Sequence, residues 1–133
     1  MRFVDTNILL RFLTNDDAVK AKRVLLLLKR VEEGKEKIIT SPLVIFELIF
    51  TLDKFYKVSR DDIAETVSAI IGLEGFAVEF KTVFISALKL FADKNISFAE
   101  AFNASVMKSK NIAEIYSYDT DFDKIDKIKR IEP

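Results

Sequence analysis

Met1-Arg2-Phe3-Val4-Asp5-Thr6-Asn7-Ile8-Leu9-Leu10-Arg11-Phe12-Leu13 decides the fold of this chain. Residues 2–5 form a β-type run that stops on a carboxylate, and an apolar segment over 7–13 reads as a short helix directly after it. Open α/β sheets bind ligands outside the carboxyl ends of their strands, which is where Asp5 falls. Working outward, Asn15-Asp16-Asp17 caps a second helix over 16–33, and Gly34 closes it as the residue past the end. Lys37-Ile38-Ile39-Thr40 is a second strand. Ser41 as N-cap and Pro42 in the first turn open a helix to residue 57.

Ser59 starts a helix to residue 71, residues 76–80 make a short strand, and a helix covers 81–93. Ser97 caps a further helix to residue 110. Ala113-Glu114-Ile115-Tyr116-Ser117-Tyr118 is a strand ending at Asp119, followed by a helical turn over 122–125 and an edge strand at Lys129-Arg130-Ile131. Strands alternating with helices predict an α/β sandwich around a central, mostly parallel sheet. No repeat, low-complexity tract or Pro/Gly/Ser linker interrupts the 133 residues, so a single domain over 1–133 is expected.

Composition removes most chemistries. The chain has no Cys, hence no thiol nucleophile and no zinc–thiolate site. It has no His, hence no His-based triad and no imidazole acid or base. Its 21 basic and 21 acidic residues cancel, which argues against a broad electrostatic surface for nucleic acid and leaves a local patch open. The longest apolar runs, Val24–Leu28 and Leu43–Phe46, are too short to span a bilayer. With an early charge and no signal peptide, a cytoplasmic protein is expected.

Four acids stand out, Asp5 and three more that each have a structural alternative beside them. Glu47 interrupts the apolar run Leu43–Phe50, where an unpartnered buried carboxylate would be costly. Thr40, Glu47, Thr51 and Lys54 also recur at helical spacing and could form one polar stripe. Glu100 completes the capping box Ser97-Phe98-Ala99-Glu100, its carboxylate returning to the Ser97 backbone N–H. Asp119 could be a turn residue or an N-cap, with Asp121 competing for either role. Asp5 and Asp119 at strand ends, with Glu47 and Glu100 early in helices, can converge above the carboxyl edge of one parallel sheet. Crowded carboxylates repel, and a hard divalent cation such as Mg²⁺ or Mn²⁺ removes the conflict. The chemistry such a site favours is metal-assisted phosphodiester hydrolysis.

Phe3-Val4-Asp5-Thr6-Asn7, Ser41-Pro42-Leu43-Val44-Ile45-Phe46-Glu47, Ser97-Phe98-Ala99-Glu100-Ala101 and Ser117-Tyr118-Asp119-Thr120-Asp121-Phe122 resemble, in order, the four motifs of PIN-domain nucleases of the VapC toxin type. The resemblance implies a three-layer α/β/α sandwich and a Mg²⁺- or Mn²⁺-dependent endoribonuclease, the toxin of a toxin–antitoxin pair. It implies Asp5, Glu47, Glu100 and Asp119 as catalytic and metal-binding acids, with Asp121 joining through a water. Thr6, Asn7 and Ser117 are implied as polar support. The third motif normally carries Asp where this chain has Glu100, whose carboxylate is one methylene further out. A catalytically silent PIN-like module that binds RNA or a protein is therefore the alternative. A phosphoacceptor domain fits poorly, because such a site wants its strand-end Asp near mid-chain and a Lys after a later strand.

The family implies RNA as substrate, a homodimer, and a small antitoxin as partner. Residues 18–31 hold Lys20, Lys22, Arg23, Lys29 and Arg30 and no acid, a pattern that either tracks RNA phosphates or forms a solvated helix face. The helices at 16–33 and 42–57 carry more apolar residues than one buried face needs, which marks an interface. Phe12, Phe46 and Phe50 read as core.

Overall fold

A computed structural model describes residues 1–133. The chain divides into two compact units, Met1–Lys81 and Thr82–Pro133.

The first unit holds strands β1 (Arg2–Phe3), β2 (Ile38–Ile39) and β3 (Phe76–Ala77) and helices α1 (Thr6–Thr14), α2 (Ala18–Glu32), α3 (Pro42–Phe50) and α4 (Arg60–Ile71). The strands form one sheet in the order β1-β2-β3, both pairings parallel, with Arg2 opposite Ile38 and Ile38 opposite Phe76. They are shorter than the sequence suggests: β1 and β2 give way within two residues to Asp5 and Ser41, the N-caps of α1 and α3, and β3 gives way to a turn before residue 81. One further ladder bond survives on each side, Val4 N–H to Ile39 O at 2.9 Å and Thr40 N–H to Ala77 O at 3.0 Å. The Thr40 hydroxyl then donates to Val4 O at 2.7 Å and locks the ends of β1 and β2 together.

Local capping sets the helix starts. Asp17, Ser41 and Ser59 accept from backbone N–H groups three residues on, as their positions predict. Gly34 adopts φ +76° after α2, the left-handed residue that ends the helix without a Cβ clash. Gly75 serves by size, since a Cβ there would lie 2.9 Å from Glu36 O and 3.0 Å from the Val31 side chain. α1 packs on α2 and α3, burying Leu9, Val24, Leu28, Val31, Ile45, Leu48 and Ile49 with Ile38 and Phe76 of the sheet. The helix expected to reach residue 57 ends its α-geometry at Phe50, and Thr51–Phe55 form a wider π-turn closed by Tyr56 N–H on Thr51 O.

The second unit holds most of α5 (Lys81–Asp93), with α6 (Phe98–Ser109), β4 (Glu114–Tyr116), a 3₁₀ turn at Thr120–Lys124, and β5 (Lys129–Ile131). β4 and β5 pair in parallel, Tyr116 opposite Ile131, and Ser117 N–H extends the ladder to Ile131 O at 3.1 Å. Phenylalanines join α5 to α6, with Phe84 and Phe102 at 4.9 Å between ring centroids and Phe91 edge-on to Phe98 at 5.7 Å. The 3₁₀ turn packs on α6 and buries Phe122. Every strand pairing in the chain is parallel, as expected. The strands are shared between two sheets, three in the first unit and two in the second. No helix is long and apolar enough to cross a membrane.

Candidate metal centre

In the first unit, Asp5 is exposed at the end of β1 and is the N-cap of α1, its Oδ1 accepting the Thr6 N–H at 2.8 Å. Thr6 is buried, with no hydrogen-bond partner for its hydroxyl oxygen, and Asn7 is exposed one residue on. Glu47 is exposed on α3, which buries Val44, Ile45, Leu48 and Ile49 on its other side. Its neighbours by helical spacing are Leu43, 73 % exposed, and Phe50, 66 % exposed. Two expectations are corrected here. Thr40 is only 3 % exposed and spends its hydroxyl on Val4, so it belongs to no polar stripe with Glu47. Phe50 is surface rather than core, because it falls on the Glu47 side of the helix; Phe12 and Phe46 are half-buried.

The second unit brings three acids together. Carboxylate oxygens of Glu100, Asp119 and Asp121 all lie within 4.8 Å of one another. Glu100 arrives in the first turn of α6, where its backbone N–H donates to the Ser97 hydroxyl oxygen at 3.1 Å. That hydroxyl donates in turn to Glu100 Oε1 at 2.9 Å. Thus the capping box closes through the Ser97 hydroxyl rather than through its backbone N–H. Glu100 Oε2 is buried and has no hydrogen-bond partner.

Asp119 follows β4 and caps the 3₁₀ turn, its Oδ1 accepting the Asp121 N–H at 2.9 Å. The Ser117 hydroxyl accepts the Asp119 N–H at 3.0 Å, which orients the acid from below. Asp119 is the extended N-cap of this turn and Asp121 lies in its first residues, which brings the two carboxylates within 4.8 Å of each other. Lys124, which the sequence reading passed over, pairs with Asp121 at 2.8 Å and donates to Asn95 O at 3.1 Å. The i,i+3 spacing of Asp121 and Lys124 on a helical turn was the available signal.

The electrostatics of the three acids differ. Burial raises the Glu100 carboxyl above its usual range, and the Asp119 and Asp121 charges add to this against the opposing Ser97 bond. The Asp121 carboxyl is lowered, first by its bond to Lys124 and further by the lysine charge. One acid that favours its proton thus sits beside one that favours its charge, as crowded carboxylates do. A set of hard oxygen donors with an orphaned buried oxygen fits a divalent cation.

Lys20, Lys22, Arg23, Lys29 and Arg30 are exposed along α2. Lys20 pairs with Asp17 at 4.0 Å and Arg30 with Glu36 at 3.3 Å, while Lys22, Arg23 and Lys29 make no ion pair.

A parallel α/β chain with motif acids at strand ends and helix starts is the pattern of a metal-dependent nuclease class. The chain belongs to the PIN domain family, whose model matches residues 2–128. It is 30 % identical over 125 residues to a VapC ribonuclease of Aquifex aeolicus strain VF5, covering 94 % of this chain and 92 % of that one. The crystal structure of Mycobacterium tuberculosis VapC20, a sarcin-ricin loop cleaving toxin, aligns over 100 % of both chains at 22 % identity with a TM-score of 0.43.

Proposed function

We propose that this protein is an endoribonuclease, a hydrolase of RNA phosphodiester bonds that acts as the toxin of a toxin–antitoxin pair. The observation that carries the reading is the grouping of Glu100, Asp119 and Asp121 at motif positions of a PIN chain. We assign Asp5, Glu47, Glu100 and Asp119 as the catalytic and metal-binding acids, with Mg²⁺ or Mn²⁺ as the cation. Asp121 is assigned as a ligand through a water, its carboxylate lying within 4.8 Å of those of Glu100 and Asp119. Thr6, Asn7 and Ser117 support these acids, Ser117 through its bond to the Asp119 N–H. When bound, the cation would supply positive charge to the phosphoryl and leaving oxygens and acidify the attacking water. The protein's own contribution is to fix the acids: Ser97 holds Glu100, Ser117 holds Asp119, and Lys124 keeps Asp121 charged.

The two units act as one domain over 1–133, a reading supported by a family match that runs through both. Lys22, Arg23 and Lys29 are the α2 cations available to RNA phosphates. Exposed Leu25 and Leu26 on α2 and Leu43 and Phe50 on α3 support a homodimer, and a small antitoxin as the silencing partner. The protein works in the cytoplasm. The specific observation favouring a silent PIN-like module is that Glu100 Oε1 is engaged by Ser97. The test is cleavage of a panel of structured RNAs by purified protein in Mg²⁺ or Mn²⁺. Cleavage that EDTA abolishes supports the nuclease; metal-independent binding without any cleavage sinks it in favour of the module.

A further inference from the structure

We propose that Tyr116 and Tyr118 form a base-stacking platform that seats two unpaired nucleotides beside the acidic cluster. The proposal rests on the ribonuclease reading and names how that site holds its substrate. The two residues are 74 % and 71 % exposed, Tyr116 at the end of β4 and Tyr118 just past it, and half-buried Ile115 and Ser117 alternate with them. With Ile85 and Ile112 they are the large apolar residues exposed in Thr82–Pro133, and neither ring meets another.

The mount under them is fixed. Ser117 N–H is bonded to Ile131 O at 3.1 Å, Ser117 O accepts from Arg130 Nη1 at 3.1 Å, and the Ser117 hydroxyl holds Asp119 N–H at 3.0 Å. The backbone between the two tyrosines is therefore pinned at Ser117, one ring at the end of β4 and the other on the bend that leads into Asp119. Exposed rings of this kind gain by covering their faces, and a nucleobase covers one fully. Two residues of extended chain span at most about 7 Å, about twice the 3.4 Å rise of stacked nucleotides, so each ring can take its own base. Direction follows from charge. Exposed Glu114 at the far end of β4 repels a phosphate, whereas a cation held by the Glu100, Asp119 and Asp121 group would attract one. The bases lie on the tyrosines and the scissile phosphate lies toward Asp119. Stacking reads every base, so the platform selects single-stranded segments rather than a sequence.

The chain has three tyrosines and no tryptophan, so a Tyr56→Phe protein emits only from this platform. Stopped-flow mixing in Mg²⁺ with a single-stranded RNA octamer, read before turnover, is expected to quench that emission. An abasic ribose-phosphate octamer is expected to leave it unchanged. In steady-state cleavage, Tyr116→Ala and Tyr118→Ala should each raise KM about 5- to 150-fold, with kcat changed far less. Tyr→Phe at either position should restore KM, and melting temperatures should stay within a degree or two of the parent because the rings are exposed. Equal quenching by the abasic octamer, or Ala variants with parental KM, overturns the platform while leaving the nuclease in place. Emission that varies with protein concentration in the absence of RNA assigns the rings to a contact between copies and also overturns it. A parent protein that neither binds nor cuts RNA removes both readings.

Discussion

Ser97 and Glu100 grip each other twice: the serine hydroxyl accepts the Glu100 N–H at 3.1 Å and donates to Glu100 Oε1 at 2.9 Å. One residue pair therefore caps α6 and fixes the longest of the clustered acids, leaving Oε2 unpartnered.

Glu100→Gln should separate the two jobs. The amide oxygen still accepts the Ser97 hydroxyl, so the cap persists, but the charge that balances a cation is gone. Mn²⁺ affinity by calorimetry should fall at least about tenfold, the scale of one lost charge-assisted contact, and RNA cleavage should fall with it. Glu100→Asp should keep or raise activity while weakening the tether. Parental metal affinity and cleavage in Glu100→Gln would reduce this residue to a cap.

The raised Glu100 carboxyl sets a pH dependence of its own. Below the ordinary value of 4.5 the group is protonated in both folded and unfolded chains and costs nothing. As pH rises from there through the raised folded value, the folded chain holds more protons than the unfolded one, so stability falls. Asp121 works in the opposite sense and in another window: lowered from 3.8, it adds stability above that value, which is lost as the pH falls through its folded pKa. Without metal, Glu100→Gln should therefore melt above the parent at pH 7 and level with it at pH 4. Saturating Mn²⁺ should reverse the order at pH 7. A melting difference that does not change between pH 4 and 7 would rule out this titration.

What the sequence disclosed and what it withheld divide along one physical line. Caps at Asp17, Ser41, Ser59 and Ser97 are bonds over three residues, and each was legible because the partners are neighbours in the chain. The parallel pairing followed from strands alternating with helices. The fate of Thr40 was not legible, because its partner, Val4, lies 36 positions away. The surface position of Phe50 was hidden by an α3 that is apolar nearly all round, so periodicity gave no preferred face. That the Asp121 carboxylate comes within 4.8 Å of those of Glu100 and Asp119 was not legible, because it depends on the 3₁₀ turn and on α6 together. Lys124 went unread because its importance is electrostatic and depends on that same turn.

Asp5→Asn should abolish metal-dependent cleavage with the fold intact. Asn is as good an N-cap as Asp and can still accept the Thr6 N–H, so helix α1 keeps its start. The melting temperature without metal should change little, and the loss should appear in kcat/KM and in metal affinity. Cleavage of structured RNAs at the parental rate in Mg²⁺ would remove Asp5 from the catalytic set.

The exposed apolar side chains of the first unit predict an oligomer that charge should break. Leu26 on α2 and Leu43 and Phe50 on α3 are exposed without any structural task in the chain that displays them. Burying one such side chain fully is worth about 1.5–3 kcal/mol, so a two-fold contact that covers it on both copies should persist at micromolar concentration. Leu43→Glu or Leu26→Glu would each place a charge at that contact on both copies at once. Because both positions are already exposed, neither change should lower the melting temperature of the isolated chain by more than about 0.5 kcal/mol equivalent. Light scattering should give a dimer mass for the parent and a monomer mass for at least one variant, with circular dichroism unchanged. A parent that is monomeric at micromolar concentration would assign this apolar surface to a different protein partner instead.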